Sequence, residues 1–322
     1  MDIAARIPPE HSTTTSRPRP EPLEAVPTRH PLRWLGAAVV LLAAVSVVTS
    51  LATNDNLKWS VVGDYLFSQL VFQGLWTTVW LTVVAMIVGI AGGVVLAVLR
   101  LSDNPILSGL AGLFVWVFRG TPLLVQIIFW GYLGALYPQL IFGIPFTDIT
   151  FFSASTSTIV TGSVAALLAL GLNEMAYPSE IVRAGILAVD DGQTEAAHSL
   201  GMTPAATTRR IVLPQAMRVI VPPMGNETIT MLKSTALVSV ISGHDLLTNL
   251  QNVYSQNFQV IPLLIVASVW YLALTSLLSI PQAWLERRYS RGSRLPTNDG
   301  PFARLTGFRF NRPSTAEQGA QS

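Results

Sequence analysis

The chain is punctuated by long stretches with no ionisable side chain. Such intervals run from Arg33 to Asp55, Asp64 to Arg100, Arg119 to Asp148, Asp148 to Glu174 and Asp245 to Glu286. Each holds enough apolar residues for a helix of about 20 residues, which at 1.5 Å per residue crosses a hydrocarbon core of roughly 30 Å. The pattern predicts spans at about 34–53, 76–99, 120–138, 158–178 and 260–283. A sixth, at about 219–241, is apolar apart from Glu227 and Lys233. All should be helices, since lipid offers unpaired backbone groups no partner. The expected fold class is an all-α membrane protein with six transmembrane helices and both termini cytoplasmic.

Residues 105–118 are apolar but short. Arg119-Gly120-Thr121-Pro122 follows and reads as a helix break and restart, with Thr121 as N-cap and Pro122 at the first helical position. The segment fits either an interfacial elbow helix or the lower half of a kinked span. Charge decides the count. With six spans, 18 of the 20 basic residues fall on the inner side: those of the N-terminal tail, Arg100, Arg119, Arg183, Arg209, Arg210, Arg218 and the C-terminal cluster from Arg287 to Arg312. A seventh span would put one of the later Arg clusters outside, against the positive-inside rule.

Composition agrees with a bilayer: 50% of residues are hydrophobic, only 12% are charged, and the mean hydropathy is +0.48. A pI near 9.1 would suit a nucleic-acid partner. The placement of the basic residues points to membrane topology instead. Residues 1–33, with seven prolines, and 291–322, rich in Arg, Pro, Ser, Thr and Gly, read as disordered tails. The apolar run of the first span is too long for a signal peptide despite Ser50-Leu51-Ala52, so it reads as an uncleaved anchor.

Between the fourth and fifth spans lies a polar segment of unusual order. Asp190-Asp191 looks like a helix start with acids at the positive dipole end. Gly201 allows a left-handed cap, and Thr203-Pro204 offers a new N-cap and first-turn proline. A second short helix should run through Ile211 and stop before Pro214. The expectation is a helix–turn–helix lying across the inner ends of the spans.

The spacing Glu195, Ala196, Ala197, Gly201, Ile211, Leu213, Pro214 resembles the EAA loop of ABC importer permeases. The stretches Phe118 to Gln126, Gly171 to Glu174 with Tyr177, Glu180 to Ile186 and Pro223 to Glu227 resemble the polar amino acid uptake (HisMQ-like) branch. The likeness covers a permease domain at about 67–290, with the loop at about 188–214. It leaves the helix at 34–53 as an addition and the 138–157 loop as longer than usual. It implies that Glu195, Ala196, Ala197, Leu200, Gly201, Thr203, Pro204, Ile211, Leu213 and Pro214 couple the chain to an ATPase subunit dimer. It further implies an extracytoplasmic solute-binding protein, a second permease as homo- or heterodimer partner, and location in a bacterial inner membrane.

Polar residues inside spans are candidates for substrate contact. They are Gln126, Asn173, Glu174, Tyr177, Asn226, Glu227, Lys233, Ser234 and Thr235. A free amino acid needs acceptors for its ammonium, for which Glu174 or Glu227 would serve. It also needs donors for its carboxylate, for which Lys233, Ser234 and Thr235 would serve. The same groups can instead tie helices together. Glu227 and Lys233, six residues apart, do not share a helix face, so Lys233 should meet another acid such as Glu174, or a substrate carboxylate. Glu180 and Arg183 suggest an interfacial ion pair. Gly89 and Gly93 suggest close helix packing. Residues 244–253 suggest a short outer helix.

No cofactor is expected. Cysteine is absent and all four histidines lie outside the spans, which argues against an intramembrane enzyme. Neither lysine, Lys58 nor Lys233, follows a Gly-x-x-x-x-Gly loop, so ATP hydrolysis belongs to another subunit. A secondary, ion-coupled transporter is the rival reading, without the inverted repeats usual for that class.

Overall fold

The computed structural model describes residues 31–144 and 150–289. The expectations for the tails lie almost wholly outside these residues. The chain divides into two compact units, residues 1–56 and 57–322. In the first, α1 (Pro31–Ala52) is apolar, and its side chains from residue 35 onward are exposed all round, as suits a lipid-facing helix.

The second unit begins with α2 (Trp59–Leu66) and α3 (Gln69–Arg100), which opens on a Ser68 N-cap and closes on a basic residue facing the negative dipole end. Then come α4 (Pro105–Gly120), capped by the Asn104 side chain on the amides of Ile106 and Leu107, α5 (Leu123–Gly131) and α6 (Leu133–Leu136). Strands β1 (Gln139–Gly143) and β2 (Thr150–Ser155) form an antiparallel hairpin, a local departure from the all-α expectation. The chain continues through α7 (Thr156–Ile159), α8 (Gly162–Leu187), α9 (Asp191–Ser199) and α10 (Pro204–Thr207). A π turn (Thr208–Val212) leads into α11 (Leu213–Ser234) and a 3-10 turn (Thr235–Ile241). Last are α12 (Leu246–Asn257), which replaces the expected 244–253 helix, and α13 (Val260–Tyr289).

Three helices, at Leu35–Ala52, α3 and α13, are long and apolar enough to cross a membrane. The number rises to four if α4 and α5, bent by 99°, form one broken span. By that measure the expected six spans are not reached among the described residues. The protein is an all-α membrane protein in its helical framework.

Two local expectations are corrected. Thr121 closes α4 rather than opening α5: its amide and hydroxyl both donate to the Val117 carbonyl, at 3.1 and 2.9 Å. Pro122, extended and without an N–H, is the N-cap of α5. The helix after Thr203 does not stop before Pro214 either. The π turn carries it on into α11, with the Leu213 amide on the Thr208 carbonyl. A widened turn relieves the clash of the Pro214 ring with the carbonyl four residues back.

Helix α8 packs against α3, α4, α5 and α11. Small residues on α3 make the closest approach possible. A Cβ on Gly89 would lie 2.3 Å from Cγ of Glu174, and one on Gly93 would lie 2.7 Å from Cβ of Pro178. Buried apolar groups sit at three levels along α3. Val71 and Leu75 pack with Leu246, Leu250 and Leu263. Leu81 and Ala85 pack with Ile127, Leu170 and Met231. Ala97 packs with Val182, Ala216 and Ile220. Polar ties reinforce the first level: Trp270 Nε1 donates to the Leu66 carbonyl (2.7 Å), and the Leu246 amide donates to the Thr78 hydroxyl (3.1 Å). Asp245 caps α12 from a buried position. Burial pushes its carboxyl above the usual range, against the opposing hydrogen bonds from Thr248 and the Leu247 amide.

Gly93→Leu should therefore lower the melting midpoint sharply, with a penalty of about 3 kcal/mol or more from overpacking. Gly112→Leu, where an added Cβ meets nothing within 4 Å, should be tolerated. Thermal unfolding of the two variants in detergent checks the contrast.

Candidate functional site

The hairpin between α8 and α11 is built by its end-caps. The Asp190 carboxylate accepts from the Gly192 amide at 2.9 Å and starts α9. At the far end Gly201 adopts φ +80, where a side chain would be strained. Its amide donates to the His198 carbonyl (2.9 Å) and the Met202 amide to the Ala197 carbonyl (3.1 Å). This paired closure is a Schellman turn. Thr203 then caps α10, accepting from the Ala206 amide (3.4 Å), with Pro204 in the first turn. The turn lifts Leu200 into solvent, where it is 84% exposed.

The candidate coupling residues divide by exposure. Glu195, Ala196, Leu200, Gly201, Thr203, Pro204, Leu213 and Pro214 are exposed, Ile211 is half-buried, and Ala197 is buried. The adjacent alanines thus play different parts. Ala196 lies on the open face, while Ala197 lies buried where α9 packs against α10 and the π turn.

Beyond the apolar stretch of α8, Glu180 gathers three guanidinium groups. It bonds Arg100, meets Arg183 Nε at 3.0 Å and lies 3.9 Å from Arg119 Nη1. The pairing with Arg183 matches expectation; Arg100 and Arg119 are additions from α3 and α4. Arg119 also stacks over the ring of Tyr177 at 5.3 Å, so Tyr177 serves as a platform there.

Further in, the α4–α5 break creates a specific need. Pro122 cannot donate to the Phe118 carbonyl, which is left without its helical partner at the break. Two side-chain amides fill it: Gln126 Nε2 at 3.0 Å and Asn173 Nδ2 at 2.9 Å. Gln126 Nε2 also reaches Thr121 Oγ1 (2.7 Å), and Asn173 Nδ2 reaches Gln126 Oε1 (3.3 Å). These two candidates are thus joined in a clamp between the break and α8.

Glu174 follows directly. It is 4% exposed, and its Oε1 has no hydrogen-bond partner. It lies within electrostatic reach of Glu227, which is half-buried on α11 and in turn within reach of Arg119. The remaining candidates do not join this group. Asn226 and Lys233 are exposed, and no ion pair links Lys233 to Glu174, contrary to expectation. The hydroxyls of Ser234 and Thr235 donate to the Thr230 (3.0 Å) and Leu232 (2.7 Å) carbonyls of their own helical stretch. Two of the nine candidates, Gln126 and Asn173, converge because a shared backbone break needs them. Lys233 lies about 120° around α11 from Glu227 and is exposed, while Ser234 and Thr235 spend their hydroxyls on local carbonyls.

Sequence reasoning missed Gln282, whose Nε2 on α13 donates to the Pro222 carbonyl (2.8 Å) in space left by Gly225. The Pro-Pro pair in α11 gave no signal for it, since Pro222 and Pro223 free the carbonyls of Arg218 and Val219, four residues back, and not that of Pro222.

A multi-helix membrane fold with an ordered polar hairpin and a carboxylate held unpaired among its helices defines a solute permease. The family described as binding-protein-dependent transport system inner membrane component matches residues 89–291. The arginine transport system permease protein ArgU of Corynebacterium glutamicum is 42% identical, over 86% of each chain. The L-cystine transport system permease protein TcyB of Bacillus subtilis is 32% identical, over 75% of this chain and 95% of its own. Among solved structures, an amino acid ABC transporter crystallised with histidines aligns at 36% identity and TM-score 0.56, covering 68% of this chain and 94% of that one. The inward-facing MetNI methionine ABC transporter shares the fold at 20% identity and TM-score 0.53 over 69% of this chain and 99% of its own.

The chain belongs to this family: it is an ABC transporter permease subunit of the polar amino acid uptake branch, a multi-pass protein of the bacterial inner membrane. It forms the translocation path of an amino acid importer and is not itself catalytic, ATP hydrolysis residing in a separate component. Importers of this kind generically use ATPase and solute-binding partners.

Glu180→Gln would leave Arg100, Arg119 and Arg183 facing one another without their carboxylate. The variant should lose roughly 2 kcal/mol of stability. The deficit should shrink as salt screens the arginines, in melts at low and high ionic strength.

Proposed function

We propose that this permease carries polar amino acids through a six-span bundle, and that the turn at Gly201 receives the stroke of an ATPase dimer. The observation that carries the coupling is Leu200, an apolar side chain held in solvent on a rigid Schellman turn. An exposed leucine on an immobile turn is suited to a groove on a partner protein. Glu195, Ala196, Thr203, Pro204, Leu213 and Pro214 would flank the contact. Ala197 and Ile211 would hold the hairpin's own shape.

The six spans would be α1, α3, the α4–α5 pair, α8, α11 and α13. Helices α8 and α11 carry acids and bases within their length, and α8 is enclosed by its neighbours, so its polar groups face protein rather than lipid. That supports counting both. The basic residues then lie on the cytoplasmic side together with both termini. The core would occupy 67–290, with 34–53 as an added helix. A second permease, homologous or identical, would complete the pathway, and an extracytoplasmic binding protein would deliver the substrate.

For the substrate, Glu174 and Glu227 form an acidic pair suited to an ammonium, or to the cationic side chain of a basic amino acid. The arginine permease among the relatives is in keeping with this. Lys233 is left as donor for the carboxylate. Ser234 and Thr235 contribute less, since both hydroxyls are engaged. Gln126, Asn173, Tyr177 and Asn226 would set the walls.

Gly201→Asp should leave the protein in the membrane and abolish ATP-driven uptake. Normal uptake by that variant overturns the coupling role, and uptake that survives ATP depletion but collapses with an uncoupler favours an ion-coupled carrier. Glu174→Gln should raise the substrate concentration for half-maximal uptake at least several-fold, while an unchanged concentration dependence removes Glu174 from the site.

A further inference from the structure

Three arginines face Glu180, and they are not equivalent. Oε1 of Glu180 accepts from Arg100 Nη1, and Oε2 accepts from Arg183 Nε at 3.0 Å. Both carboxylate oxygens are thus engaged by the arginines of α3 and α8. Arg119 Nη1, from the end of α4, stands 3.9 Å from Oε1, beyond hydrogen-bond distance. Among the described residues its guanidinium donates to no acceptor. It is also the most open of the three, with 45% of its side chain exposed against 22% for Arg100 and 33% for Arg183. Arg100 and Arg183 satisfy Glu180, and Arg119 keeps its N–H groups unspent.

Arg119 is nonetheless held in place. Its guanidinium lies over the Tyr177 ring at 5.3 Å. A ring contact engages the face of a guanidinium and not the donors along its edge. Tyr177 follows Glu174 by three residues on α8, about 4.5 Å of helical rise. Glu174 is 4% exposed with Oε1 unpartnered, and Glu227 on α11 lies within electrostatic reach of both Glu174 and Arg119. A free donor fork and an unclaimed carboxyl oxygen therefore sit on neighbouring turns. Opposite charges so placed match the two poles of a free amino acid. For a carboxylate, a planar fork on a ring is better suited than the flexible ammonium of Lys233, which is exposed and pairs with no acid among the described residues.

We infer that Arg119 receives the substrate's α-carboxylate, while Glu174 and Glu227 hold its ammonium or cationic side chain. Tyr177 positions the fork. Glu180 occupies Arg100 and Arg183, so that Arg119 alone of the three offers free donors. The inference rests on the proposal that the acidic pair receives a cation, and adds the group by which the site selects an amino acid over a plain amine.

L-Arginine and agmatine, the same molecule without its carboxylate, separate the two poles. Their binding to the full-length chain in nanodiscs of phosphatidylcholine and phosphatidylglycerol is measured by titration calorimetry. Arg119→Gln should weaken L-arginine roughly tenfold or more, while agmatine stays within about threefold or binds tighter. Arg119→Lys keeps the charge but not the fork. It should shift the preference the same way to a smaller degree, and it decides the matter should the glutamine variant not fold. Equal weakening of both ligands makes Arg119 structural, and equal tightening makes it only a tethered rival of the cation. Either result overturns the inference, as does an unchanged preference between the two ligands. Glu174→Gln should weaken both ligands alike. If it shifts neither while Arg119→Gln still separates them, the acidic-pair reading fails and the carboxylate role stands. A wild-type chain that binds neither ligand overturns both.

Discussion

The α4–α5 break leaves one carbonyl without its helical donor, and the packing of α8 is organised around that group. Pro122 deprives the Phe118 carbonyl of its helical partner, and the chain bends there by 99°. The bend survives because Gln126 from beyond it and Asn173 from α8 both donate into the gap. That clamp fixes α8 in register with the break. Register then determines what lies on either side: Glu174 one residue further along, Tyr177 one turn on beneath Arg119, and Glu180 among three arginines. Without the amides, the break would leave that carbonyl without a protein donor.

The carboxylate chemistry depends on a second constraint, the absence of side chains on α3. Gly89 leaves the space that the Glu174 stem occupies, and Gly93 brings Pro178 and the Met175 carbonyl into contact. Among the described residues, Glu174 Oε1 has no hydrogen-bond partner. An unpaired buried acid is unfavourable for folding alone. Its persistence beside Glu227 is intelligible if a cationic ligand passes between them.

Much of this was legible in the residues. Charge-free intervals located α1, α3 and α13, and the caps at Asp190, Gly201 and Thr203 fell where side-chain chemistry put them. Errors gathered at prolines. Pro122 was read as a helix start and Pro214 as a stop, whereas Thr121 closes one helix and a π turn carries the other through. Proline reports that a hydrogen bond is missing, and only tertiary contacts decide whether the helix ends, bends or widens. The 139–155 ribbon was invisible for another reason. A short apolar run without charge has the same composition in a strand as in the end of a span, and periodicity over five residues does not separate them. Helices α8 and α11 show the limit of apolarity as a measure: a helix enclosed by protein carries acids that a lipid-facing one does not.

The π turn bears on how a force at the hairpin would spread. From Pro204 to Ser234 the backbone is helical throughout, and the Gly201 turn joins this run through the extended N-cap Thr203. On the other side, α9 joins α8 through only a few residues around Ala188 to Asp190. A displacement of Leu200 would reach α11 through Thr203 and this helical run, and α8 through the short link from Ala188 to Asp190. The two carboxylates sit on these two helices, Glu227 on α11 and Glu174 on α8. Under the proposed function, motion of one against the other would change the separation of the two carboxyl groups, and with it the affinity for a cation between them. That would link mechanical input at the hairpin to ligand release.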